Sequence, residues 1–126
     1  SDPQLETLYN AGEILECHAV VKTVPIANEL IEYAVTLAAA SRPNREGTPK
    51  FINHFVQWGA GLRGAQNLVL AAKTRALLEG RAHVEKDDLK ALAHPVLRHR
   101  ILPNYKAEAE GRTVSSLIDE LLETIT

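Results

Sequence analysis

The chain has a single cysteine, Cys17, and no methionine among its 126 residues. A lone cysteine excludes an internal disulfide framework and fits a reducing compartment. Aromatics are also scarce, with one Trp, three Tyr and two Phe. Against many Ala and Leu, that scarcity favours helix over sheet. No apolar run approaches the roughly 20 residues a membrane span needs. The opening stretch SDPQLETLYN is acidic and polar, unlike the basic and then apolar start of a signal peptide, so the expected location is cytoplasmic. Charge of one sign is missing as well: 14 Lys and Arg face 16 Asp and Glu, for a net charge of −2. That balance gives no overall pull toward nucleic acid or an anionic membrane. Internal repeats and low-complexity segments are absent. The length suits one domain with a real core, and is too short for a cofactor domain plus a substrate domain.

What is present reads as helices. Pro3, Leu5, Leu8, Tyr9, Ile14 and Leu15 predict a first helix over 3–18, with Pro3 at a tolerated early position. Residues 18–23 (HAVVKT) are short and β-branched, which predicts an extended connector. Pro25 restarts a helix through about residue 40. Its Ile26, Leu30, Tyr33, Ala34 and Leu37 recur at helical spacing, and Pro43 ends it. Residues 42–50 (RPNREGTPK) are a polar surface loop. Residues 51–58 (FINHFVQW) fit a short helix. Residues 62–79 form the strongest helix, with Leu62, Ala65, Leu68, Val69, Ala72, Ala76 and Leu77 as its apolar stripe and Gly80 placed to stop it. Val84 to Asp88 marks a new helix start, where acids suit the macrodipole. That helix carries Leu89, Leu92, Val96 and Leu97 and fades near Arg98. Pro103 and Gly111 bracket a polar loop. Thr113 or Ser115 caps a last helix whose face holds Leu117, Leu121, Leu122 and Ile125. The expected fold is all-α, a compact bundle of about five or six helices without a strand pair.

Residues 59–64 (GAGLRG) match the G-x-G-x-x-G dinucleotide fingerprint literally and half-match a phosphate-binding loop. Both motifs aim backbone N–H groups and a helix N-terminus at phosphate. A dinucleotide fold needs parallel strands before the glycines and after the helix. Arg81-Ala82-His83-Val84 follows the helix here, and no later apolar run supplies such strands. A phosphate loop needs Lys and then Ser or Thr after its last glycine, whereas Ala65 and Gln66 stand there. This chain alone is therefore expected to hydrolyse no nucleotide, and no catalytic residue is assigned in it. What remains is Arg63, a planar fork of donors suited to phosphate oxygens, in the first turn of a long helix. The plain reading of the same residues is a tight turn followed by a solvated arginine.

Other candidates carry less. His18, His54, His83, His94 and His99 show no metal-ligand spacing, and no metal site is expected. Cys17 has no catalytic partner in sequence. Arg98, His99, Arg100 and Lys106 form a basic cluster near Tyr105. It suits a helix C-terminus complemented by cations or contact with a neighbouring domain better than a nucleic-acid patch. A stand-alone helical interaction or nucleic-acid-binding module using Arg98, Arg100 and Lys106 is the alternative function.

Four pieces of the chain, taken together and in order, resemble the C-terminal helical lid of AAA+ ATPases of the MoxR-type branch. Val24-Pro25 through Tyr33, Leu37 and Arg42-Pro43 resemble the first lid helix and its closing Arg-Pro turn. Trp58-Gly59-Ala60-Gly61-Leu62-Arg63-Gly64-Ala65 resembles the G-A-S-P-R-A segment, with Gly61-Leu62 where that family commonly has Ser-Pro. Residues 76–89 (ALLEGRAHVEKDDL) resemble an A-L-x-x-G-R-x-x-V-x-x-x-D-V run, and residues 96–101 (VLRHRI) a V-L-x-H-R-I signature. The resemblance implies one lid-like domain over 1–126, with a leading helix and connector over 1–20 and the lid core over 24–126. It implies that Arg63 is a sensor-2-like arginine, that Gly59, Gly61 and Leu62 shape its turn, and that ATP and Mg²⁺ are held by a core domain of the same chain. By the same resemblance, the partners are neighbouring subunits of a ring and a protein bearing a von Willebrand factor A domain, and the activity is chaperone-like remodelling.

Overall fold

A computed structural model describes residues 20–126; the expected 3–18 helix, Cys17 and His18 lie outside them. Residues 20–23 are helical, closed by the Thr23 hydroxyl donating to the Val20 carbonyl at 2.6 Å and by Val24 N–H donating to Val21 O at 3.1 Å. The extended connector expected there is corrected for this part. Val21 and Val24 are buried there, and that burial outweighs β-branched propensity.

Six further helices follow among the described residues: α1 (Asn28–Ala40), α2 (Lys50–Phe55), α3 (Leu62–Leu78), α4 (Lys86–Leu97), α5 (Tyr105–Ala109) and α6 (Val114–Thr124). The mostly helical class is as expected. In α1, Tyr33, Ala34, Leu37 and Ala38 are buried, the one-face spacing of an amphipathic helix. α3 is central and packs on both α1 and α4, while α6 closes the bundle against α4 and α1. Leu37, Ile52, Leu68, Leu89, Leu97, Leu117, Ile118 and Leu121 are the large, fully buried residues of the one core cluster they form.

Three expectations are corrected. The 51–58 helix stops at Phe55, and β1 (Val56–Trp58) continues the chain. β1 pairs antiparallel with β2 (Leu102–Pro103), Val56 opposite Pro103 and Trp58 opposite Leu102. Strand pairing with a partner over 40 residues away leaves no local pattern, so no strand pair was legible. Pro103 sits in a two-stranded ribbon, whose strands are both edges that tolerate proline. Within the expected 103–111 loop, Asn104 caps the short α5 by accepting from Ala107 N–H at 3.1 Å. Finally, Leu62 is 66% exposed and Leu77 37%; the buried stripe of α3 is Gly64, Ala65, Leu68, Ala72 and Ala76.

The helix ends follow local chemistry. Gly80 stops α3 in a left-handed conformation with φ 75°. Its N–H reaches Leu77 O at 3.0 Å and Arg81 N–H reaches Ala76 O at 2.9 Å, a Schellman closure. At α6 the Thr113 hydroxyl accepts from Ser116 N–H and the Ser116 hydroxyl accepts from Thr113 N–H, both at 3.1 Å. Thr113→Ala removes one half of this capping box and is expected to cost about 1 kcal/mol. Thermal unfolding reads this as a midpoint lowered by about 4 °C; an unchanged midpoint contradicts the cap assignment.

Candidate functional site

Arg63 is delivered by a turn anchored at both ends. β1 leads into Gly59, whose backbone lies against the residue that ends α1. A Cβ built on Gly59 would stand 2.0 Å from the Ser41 carbonyl oxygen and 2.4 Å from its carbon, so no side chain fits. The Ser41 hydroxyl accepts from Ala60 N–H at 2.8 Å and donates to Ala38 O at 2.6 Å. Ser41 is fully buried and Ala60 is 2% exposed. Gly59 is thus a packing residue.

Gly61 then caps α3 with extended backbone, φ −109° and ψ −156°. Its carbonyl accepts from Gly64 N–H at 3.0 Å and Ala65 N–H at 3.3 Å. No side chain caps this helix, and its first turn contains no acid. The positive end of the α3 dipole thus has no neutralising acid in its first turn, and Arg63 adds a second positive charge there. Arg63 is exposed, and its guanidinium enters none of the ion pairs among the described residues.

Gly64 has a different task. A Cβ there would meet Ala60 Cβ at 2.9 Å, Arg100 Cδ at 3.4 Å and Leu97 Cδ2 at 3.6 Å. The first turn of α3 therefore lies beside the end of α4. Arg98 is the C-cap of α4, and Arg100 N–H donates to Leu97 O at 2.9 Å. Both cations sit at a negative helix end, as the dipole favours. Lys106 occupies the last turn of α5, and Tyr105 beside it is 77% exposed. Arg100 lies against Gly64, the residue after Arg63; Lys106 belongs to another helix.

The other end of the α3–α4 pair holds a second charged cluster, where the sequence pattern alone predicts simple dipole complement. Asp88 is fully buried. It accepts from Arg75 Nη1 at 2.6 Å, from Arg81 Nη1 at 2.7 Å and Nη2, and from Glu85 N–H at 2.7 Å. The Arg81 hydrogen bonds hold its carboxyl well below the usual carboxylate range, outweighing burial, with the Glu85 N–H and Arg75 adding to them. Arg75 at the end of α3 thereby meets the start of α4, so the two helices run antiparallel.

Three of the described histidines lie against acids. His54 lies 3.3 Å from Glu110, His83 3.7 Å from Glu85 and His94 2.7 Å from Asp119. Among the described residues no group of three His, Cys, Asp or Glu is arranged to hold a metal ion. No described helix is long and apolar enough to cross a membrane.

The described residues thus form a small helical bundle with Arg63 at the head of its central helix, on a turn pinned to the end of α1. Residues 51–121 match the AAA lid domain family, and the chain belongs to that family. It is 26% identical over 123 residues to chaperone MoxR1 of Mycobacterium tuberculosis, covering 98% of this chain and 33% of that protein. It is 42% identical over 72 residues to protein MoxR of Paracoccus denitrificans, covering 56% and 21%. A crystal structure from Cytophaga hutchinsonii, described as a candidate ATPase, superposes with a TM-score of 0.84 at 32% identity, over 91% of this chain and 35% of that one. The lid is of the MoxR type, and the chain spans about a third or less of the length of these relatives.

Proposed function

We propose that this lid closes over ATP held by a separate AAA+ core domain, and that Arg63 reads the terminal phosphate. The observation that carries this reading is Arg63 itself. It is exposed at the first turn of α3 without an ion-pair partner among the described residues, on a turn seated against buried Ser41. A guanidinium fork and a helix N-terminus without a competing acid both fit an anion. ATP offers γ-phosphate oxygens that ADP lacks, and a ligand shifts a two-state equilibrium only by its differential affinity. Arg63 is a source of that difference, and lid angle carries it onward. Gly59, Gly61 and Leu62 shape the turn.

In this reading Mg²⁺, which takes carboxylate and phosphate oxygens, is held by the core, and this chain supplies no catalytic residue. When bound, Mg²⁺ and ATP supply the phosphoryl group and the neutralisation of its charge. Exposed Leu62 borders a groove of about 350 Å³ between α1 and α3 floored by Ile31, Val35 and Val69. Apolar surface beside Arg63 suits cover by another domain. The core domain of the same chain and neighbouring subunits of a ring are the partners, with a von Willebrand factor A domain protein as the remodelling partner. The unit comprises a leading segment over 1–20 and a lid core over 24–126, and works in the cytoplasm as part of a chaperone-like remodeller.

Arg63→Ala in the full-length protein is expected to lower ATP turnover about tenfold, below the 10³–10⁵ of an arginine acting directly on phosphoryl-transfer charge, or to leave turnover intact while remodelling is lost. Steady-state hydrolysis and remodelling assays on that variant measure both. Wild-type values in both would sink the sensing role.

A further inference from the structure

We propose that Ser41 is a positioning residue for Arg63, an inference that rests on the phosphate-sensing reading of that arginine. The turn that presents Arg63 has little stiffness of its own. Gly61 has no side chain with which to cap α3, and nothing within 4 Å packs on the space where its Cβ would be. No proline precedes Arg63 to fix the first helical turn. The restraint comes from outside the turn, from the last residue of the α1 segment.

Ser41 is built for that restraint. Its hydroxyl is fully buried and uses both capacities, donating to Ala38 O at 2.6 Å and accepting from Ala60 N–H at 2.8 Å. The bond to Ala38 is the ordinary local one for a serine at a helix end. The bond to Ala60 spans 19 residues and is of another kind. Without it, the N–H of buried Ala60 has no partner in its place, and leaving such a group unpaired is costly. Gly59 is seated on the Ser41 backbone at the same point. Only Gly61 and Leu62 lie between Ala60, where the anchor sits, and Arg63. A pull on the arginine is therefore passed to α1 as well as α3, and the two helices turn as one body. With the anchor cut, residues 59–62 can give way before the helices move.

The test is nucleotide preference, read as the ratio of dissociation constants for ADP and a non-hydrolysable ATP analogue in the full-length protein. The variants are Arg63→Ala, Ser41→Ala, their double, and Ile118→Val as a core control in α6. Arg63→Ala is expected to lower the preference for the ATP analogue about tenfold, and Ser41→Ala about threefold or more, with the double no worse than Arg63→Ala alone. Groups acting through one another show such non-additivity. An Ser41→Ala effect no larger than that of Ile118→Val, or one that adds fully to Arg63→Ala, overturns the positioning role while leaving the sensor reading intact. No shift in Arg63→Ala overturns the sensor reading, and this inference with it. Should Ser41→Ala not fold, Ser41→Cys replaces it. Sulfur is a weaker acceptor, so the same pattern at smaller amplitude is expected, and wild-type preference there counts against the proposal.

Discussion

Asp88→Asn is expected to destabilise the domain by about 3 kcal/mol, the low end of what breaking a buried ion pair costs. The carboxylate is fully buried and takes donors from two arginines and from the Glu85 backbone. An amide of the same shape keeps one acceptor and turns an NH₂ group toward guanidinium donors. The low end applies because the side chains of Arg75 and Arg81 are 33% and 23% exposed and can turn toward water. Urea unfolding should show a lower midpoint at similar slope. Asp87→Asn, one residue away and exposed, is expected to change stability by less than about 0.5 kcal/mol. Similar values for the two variants would mean that Asp88 is not the clamp its geometry describes.

The same carboxylate makes stability pH-dependent in a defined direction. Its folded pKa lies well below the ordinary 3.8. A depressed folded pKa means that the unfolded chain binds the proton first as pH falls. The contribution is thus complete above the ordinary value and is lost progressively as pH drops from about 4 toward the folded pKa. The gap between wild type and Asp88→Asn is expected to be constant from pH 6 to 8 and to shrink below pH 4. A gap that widens on acidification would reverse the assignment.

Much of this was readable from residue order. Helical periodicity marks α1 and α3, Gly80 marks the end of α3, and Thr113 marks the start of α6, because each depends on neighbours within a turn or two. The failures share a cause. β1 and β2 form only by meeting each other, so FINHFVQW reads as one helix when its last three residues are a strand. Leu62 and Leu77 match the helical period of α3, yet both are exposed; period says which residues share a stripe, not what covers it. Arg63 was legible as a donor at a helix start. Ser41, whose partner is 19 residues away, gave no signal beyond being a small polar residue before Arg-Pro. Asp88 looked like one of several acids in a first turn. Only the folded pairing with Arg75 and Arg81 separates it from Asp87.

The glycines around Arg63 should separate in the same way when each is changed to alanine. Gly59→Ala is expected to be the most damaging, at about 3 kcal/mol or somewhat more, the upper range of overpacking costs. Its methyl would fall 2.0 Å from a backbone oxygen and 2.4 Å from a backbone carbon. Backbone cannot rotate out of the way as a side-chain tip can, so the turn must leave Ser41. Gly61→Ala meets nothing within 4 Å and changes only the cap, at under about 1 kcal/mol. Gly64→Ala meets Ala60 Cβ at 2.9 Å, an atom fixed to the backbone of a buried and anchored residue, so the turn must shift, and that cost outweighs the gain of about 1 kcal/mol from replacing glycine inside a helix. The expected order of thermal midpoints is Gly61→Ala near wild type, Gly64→Ala clearly lower and Gly59→Ala lowest. A flexible hinge at Gly59 would invert that order, since alanine would then cost little where the backbone is free. Gly59→Ala should also blunt nucleotide preference beyond Ser41→Ala, because it displaces the turn that Ser41→Ala merely loosens.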